Sequence, residues 1–189
     1  MSSRGRRITI IFIAAILILM GYLLLRGGPN GGQTGTTGKK PIVLTDYING
    51  RSMVRMTING RINSNELHRV IQISVAQNET TINVFQGYEQ NILKAQRYEN
   101  NFGAYDSFMH ALYLAGFAKT KSNRLPNELG VCPLGFRYVY ELFDSNKQLL
   151  RTWSATCNSG TYGGNDNLTL NLFQKQIPNY GALTNNVQL

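Results

Sequence analysis

Apolar and polar residues alternate along several stretches of this chain. Val54, Met56 and Ile58 are interleaved with Arg55, Thr57 and Asn59, the period-two pattern of a strand with one buried face. Ile71, Ile73 and Val75 form a second set, facing away from Val70, Gln72 and Ser74. Ala76 to Glu79 supplies a turn, and Thr80 to Phe85 returns with Ile82 and Val84 inward. Asn59-Gly60 adds a turn or bulge signal. Together Pro41 to Phe85 predicts an antiparallel meander with one wet face. Gln86 to Tyr98 is ambiguous. Gly87-Tyr88 breaks the strand, and Ile92, Leu93 and Ala95 suit either period.

The pattern then changes to a helical spacing. Tyr105, Phe108, Met109 and Leu112 recur along one face, with Ala115 beyond. Asn100 or Asn101 suits the start of this helix, and Gly116 suits the left-handed residue that ends it. Leu134 to Cys157 reads as a hairpin closed by Asp144-Ser145-Asn146-Lys147. That closure sets Tyr138 opposite Trp153, Tyr140 opposite Arg151 and Leu142 opposite Leu149 on one face. Arg137, Glu141, Thr152 and Ser154 then fall on the other. Asn158 to Asn167 is a loop by composition. Asp166 or Asn167 is read as the cap of a short helix carrying Leu168, Leu172 and Phe173, stopped by Pro178.

A different pattern stands at the N-terminus. Ile8 to Leu25 is apolar and free of charge. As a helix its eighteen residues would span about 27 Å at roughly 1.5 Å per residue, the short end of what crosses a bilayer of roughly 30 Å. Arg4, Arg6 and Arg7 precede it and Arg26 follows, which favours an N-terminus in the cytoplasm and the bulk of the chain outside. A cleaved signal peptide would have a shorter apolar core and a small-x-small site. A pilin-type subunit would continue the helix beyond the membrane, whereas Gly27, Gly28 and Pro29 stop it here. The expected organisation is a basic cytoplasmic stub over residues 1–7, a transmembrane helix over 8–26 and a Gly-rich flexible tether over 27–40. An extracytoplasmic domain over 41–180 and a frayed tail over 181–189 complete it. A fourteen-residue tether of that composition has an r.m.s. reach on the order of 20 Å.

That location changes how the charge is read. The formal net charge is +9, yet from Pro41 onward the chain has thirteen Lys/Arg against ten Asp/Glu. Much of the basicity therefore flanks the membrane, where it matches anionic headgroups, and a nucleic-acid partner is not expected. Cys132 and Cys157 both fall outside the cytoplasm and are expected to form one disulfide. Two thiolates and two distant histidines make a poor zinc pattern, so no metal and no cofactor is expected. Lys119, Lys121 and Arg124 stand in the loop from Ala118 to Val131. They are either a solvated cluster or a contact patch for an anionic surface polymer or headgroup. Glu66 with His68 and Asp106 with His110 are the only acid–histidine neighbours. Such pairs are common surface features, and no catalytic residue is assigned.

Several residues carry a resemblance. They are Gly130-Val131-Cys132-Pro133-Leu134-Gly135, Arg137-Tyr138, Tyr140-Glu141-Leu142, Trp153 with Cys157, Gly163-Gly164, Leu172-Phe173, Gln176-Ile177-Pro178 and Tyr180. The chain resembles uncharacterised membrane-anchored proteins of small-genome, host-attached bacteria of the Saccharibacteria kind, mainly over residues 85–180. The resemblance implies an extracytoplasmic head and carries no activity with it. The expected fold is α+β: one N-terminal transmembrane helix, then a small head with an antiparallel meander, one main helix, a disulfide-closed β-hairpin and a short C-terminal helix. The expected role is a non-enzymatic envelope or surface-contact protein. Its partners would be the lipid bilayer, through residues 8–26, and a protein or surface polymer outside the cell. The alternatives are a sugar- or peptide-binding module and an unrecognised hydrolase.

Overall fold

The structure, a computed structural model, describes residues 41–189. The expected stub, transmembrane helix and tether lie outside the described residues. Six strands form one antiparallel sheet: β1 (Ser52–Asn59), β2 (Arg69–Ala76), β3 (Glu79–Gln86), β4 (Asn91–Glu99), β5 (Arg137–Asp144) and β6 (Lys147–Ala155). Their spatial order is β4-β3-β2-β1-β5-β6. Three helices accompany them, α1 (Phe102–Ala115), α2 (Asp166–Lys175) and α3 (Tyr180–Thr184), with a 3-10 turn over Leu44–Tyr47.

This corrects the α+β expectation. The described chain is mostly strands, and the predicted meander and hairpin are halves of one sheet. They join because β1 pairs on both sides, with β2 through Met56↔Ile73 and with β5 through Met56↔Tyr140. Among the described residues no helix is long and apolar enough to cross a membrane. The ambiguous stretch from Gln86 resolves into the turn after β3 and the edge strand β4, with a bulge opposite Val84/Phe85. β4 is exposed along nearly its whole length. No burial imposes a period on its side chains, which is why its sequence showed none.

The helices cover one face of the sheet. Val54, Met56, Ile58, Ile71, Ile73 and Val75 point into that side with Ile82 and Val84, as the alternation predicts. α1 contributes Tyr105, Phe108, Met109 and Leu112, and Phe108 meets Phe173 of α2 edge-on, ring centroids 5.3 Å apart. The Asn101 side chain accepts from the Ala104 amide at 3.0 Å, satisfying one of the orphan donors at the start of α1. Gly116 closes α1 at φ +80°, where a Cβ would be strained. At α2 the cap is Asn165, not Asp166 or Asn167: its side chain accepts from the Leu168 amide at 3.0 Å. The stretch read as a frayed tail carries most of α3, and Leu183, Val187 and Leu189 pack against the core.

The predicted hairpin register needs a second correction. Asp144 pairs with Lys147 and Phe143 with Gln148, as the turn implies. A bulge follows, and from there Leu142 faces Leu150, Glu141 faces Arg151 and Val139 faces Trp153. Leu149 and Leu150 both pack on the helix side, the two-against-one geometry of a bulge. One extra residue moves the rest of β6 by one position and reverses its faces. Trp153 and Arg151 thereby leave the face of Tyr138 and Tyr140.

Candidate functional site

The face of the sheet away from the helices is divided. Over β5 and β6 it is covered by the long loop that follows α1. Val131 and Cys132 of that loop pack on Val139, Trp153 and Ala155, and Trp153 is fully buried. Glu128 of the same loop accepts two hydrogen bonds from Arg151 Nη2, at 2.7 and 2.8 Å. Cys132 and Cys157 form the expected disulfide, with Cα atoms 5.9 Å apart. It ties the end of the covering loop to the residues just beyond β6.

Over β1 to β4 no described residue covers the same face. Register places Arg151, Glu141, Arg55, Ser74, Thr81 and Arg97 in one row across all six strands. The neighbouring row on the open half is Thr57, Gln72, Asn83 and Ala95. The open half holds a shallow hollow of about 390 Å³, lined among others by Arg55, Ser74, Glu79, Thr81, Asn83 and Arg97. Its side chains are mostly hydroxyls, amides and two guanidinium groups, one of which pairs with Glu79 at 2.9 Å. These groups donate and accept hydrogen bonds without a common charge.

The charged end of the row is an alternating network. Arg55 Nη1 lies 4.0 Å from Glu141, its Nε donates to Ser74 Oγ at 3.3 Å, and its guanidinium sits 4.8 Å over the Phe143 ring. Gln148 donates to Glu141 Oε1 at 2.6 Å. Burial pushes the Glu141 carboxyl up, and the positive charges of Arg55 and Arg151 pull against that shift. With these partners in place, the network fixes the covering loop against the sheet and holds Arg55 at the rim of the hollow.

Lys119, Lys121 and Arg124 are all exposed and lie on one segment, away from the hollow. That segment runs against residues 160–163: Gly163 donates to the Lys119 carbonyl at 2.9 Å and Lys121 to the Thr161 carbonyl at 2.8 Å. Residues 159–162 in turn fold onto the outer edge of β6, where Thr161 donates to the Trp153 carbonyl at 2.8 Å. Gly160, at φ +147°, comes so close that a Cβ would run into that carbonyl. Among the described residues the β6 edge is thus closed and the β4 edge is left free.

Of the two acid–histidine neighbours, only Asp106 with His110 lies in contact. His110 Nδ1 lies 3.4 Å from Asp106 on the exposed side of α1. His68 is buried, stacks on Tyr88 at 4.2 Å and places Nδ1 3.0 Å from the Arg61 carbonyl. Among the described residues no three metal-ligating side chains gather. Sequence reasoning missed a clasp on the helix side, where the Tyr140 hydroxyl donates to Asp166 Oδ1 at 2.9 Å and the Ser154 hydroxyl donates to the same oxygen. Tyr162, its ring 4.4 Å from that of Tyr140, shares a 2.6 Å hydrogen bond with Thr169. Burial, with the Asp166 charge second, raises the Tyr140 phenol far above its ordinary range. Burial pushes Tyr162 up to about 12. The missed signal was Asp166 itself, an acid in the first turn of a helix. No family model matches the chain, and no curated protein matches it.

Proposed function

We propose that this is a membrane-held, extracytoplasmic contact protein without enzymatic activity, and that its contact face is the open half of the sheet. The anchor in this reading rests on the apolar run from Ile8 to Leu25 and its flanking arginines. The resemblance to membrane-anchored proteins of host-attached bacteria points the same way.

The observation that carries the contact role is the uncovered polar floor over β1 to β4. Here Ser74, Thr81, Gln72 and Asn83 stand side by side in adjacent rows. The short side chains of Ser74, Thr81 and Asn83 lose less rotamer freedom on binding than long ones such as Gln72, and these hydroxyls and amides suit a ligand dense in hydroxyl or amide groups. A surface glycan strand has that chemistry. A second reading is an extended peptide, favoured by the free β4 edge beside the hollow, where strand addition would lay side chains onto the same floor.

The test is titration of the full chain in detergent micelles with solubilised envelope glycan fragments, followed by calorimetry. Thr81→Ala with Asn83→Ala is expected to weaken binding at least about fivefold, since each lost hydrogen bond is worth about 0.5–1.5 kcal/mol. The melting curve should be unaltered. Binding that survives the double substitution would rule out this face.

A further inference from the structure

One group of exposed apolar side chains lies at one end of the sheet, separate from Phe102, Tyr113 and Leu114 on α1. The strand pairings bring the ends of β1, β3 and β6 together with the starts of β2, β4 and β5. The loop over residues 60–68 and the covering loop before β5 both leave from this end. Leu134 is 83% exposed, Leu129 76% and Leu67 59%, with Ile62 and Leu125 also open to solvent. The two loops are held to each other, because the Ile62 amide donates to the Pro133 carbonyl at 2.8 Å. Arg137, rooted in β5, adds a second tie through a hydrogen bond to the Gly60 carbonyl. Cys132–Cys157 fixes the base of the turn that presents Leu134. These leucines therefore project from braced loops.

The same end is basic. Arg61 and Arg69 flank the loop that carries Leu67, and Lys119, Lys121 and Arg124 precede Leu125 and Leu129 in the covering loop, against Glu66 and Glu89, while Glu128 is taken up by Arg151. The opposite end, with Asp46, Arg51, Glu79, Glu99, Asp144 and Lys147, has more acid than base. Projecting leucines ringed by cations match the interfacial zone of a bilayer with anionic headgroups, where apolar side chains enter the acyl boundary and cations stay with the phosphates. We infer that this end of the head docks on an anionic lipid surface, through Leu129, Leu134 and Leu67 and the surrounding cations. The inference rests on the membrane-held reading above, and it uses a surface distinct from the hollow.

Hydrogen exchange tests it on the full chain, reconstituted in vesicles of phosphatidylcholine alone and of phosphatidylcholine with one quarter phosphatidylglycerol. Residues 60–68 and 125–135 should exchange at least about fivefold more slowly on the anionic vesicles, the effect of roughly one cation held near the surface. Half-molar salt should erase the difference, as should Leu129→Ser with Leu134→Ser. Equal exchange on both vesicles, or slowing that persists in Lys119→Glu/Lys121→Glu/Arg124→Glu, would overturn the docking. Alkaline carbonate keeps the two claims apart. A chain it strips from the vesicles contradicts the anchor, and cosedimentation with anionic vesicles at neutral pH then decides docking alone. A chain that stays inserted with both loops exchanging freely contradicts docking alone.

Discussion

Tyr140 shows what a single buried hydroxyl contributes to this head. It is fully buried, and its phenol donates to Asp166 while Ser154 donates to the same oxygen. Hydrogen bonds to a charged acceptor are worth about 1.5–3 kcal/mol, so Tyr140→Phe should cost about that much at neutral pH. The pH dependence follows from the direction of the shifts. Tyr140 and Tyr162 hold their protons above the ordinary tyrosine value in the folded state, whereas the unfolded chain ionises near pH 10. Stability is therefore full below about pH 10 and falls as pH rises beyond it, toward the folded value of about 12 for Tyr162. Chemical denaturation between pH 8 and 11.5 should show this fall in the parent and a shallower one in Tyr140→Phe. Parallel curves would remove Tyr140 from the account. None of this was legible in the sequence: the hairpin reading put Tyr140 on one face with Tyr138 and Leu142 without assigning which face is buried, its partner lies 26 residues away, and no local period links them.

At the scale of elements, legibility tracked burial. β1, β2 and β3 were readable because one face of each is buried and the other is mostly polar, Val70 and Phe85 being the exceptions at one end. α1 was readable with its cap because Asn101 and Gly116 have conformational reasons to be there. β4 was not, since water imposes no pattern on an edge strand. The bulge at Leu149, opposite Leu142/Phe143, was not either, because a one-residue insertion leaves the composition of the hairpin unchanged. The Cys132–Cys157 bridge was expected from compartment and count, and its consequence emerges only from the sheet. It holds the covering loop over Trp153 and so decides which half of the polar face stays open. Closing a loop with a separation of 25 residues stabilises by about 3–4 kcal/mol in the chain-entropy picture. Cys132→Ser with Cys157→Ser should lose that much, and Trp153 emission should shift to the red as its cover loosens. Mass spectrometry of the unreduced protein should find no alkylatable thiol, and two free thiols would contradict the bridge.

The whole molecule is organised by asymmetry. One face of the sheet is sealed by helices, half of the other is sealed by a disulfide-held loop, and the remaining half is a polar hollow between Arg55 and Arg97. Among the described residues one edge is closed by residues 159–162 and one is free. A contact role accounts for the open half without asking for a catalytic group. The most direct measurement places a photoreactive amino acid at Asn83 in the hollow, and separately at His110 on the outer side of α1, in the full chain in intact source cells. The contact account predicts a defined crosslinked product from position 83, lost in Arg55→Ala, and none from position 110. Crosslinking from position 110 with none from position 83 would show that the partner meets the helix side, and the open sheet face would lose its assigned role.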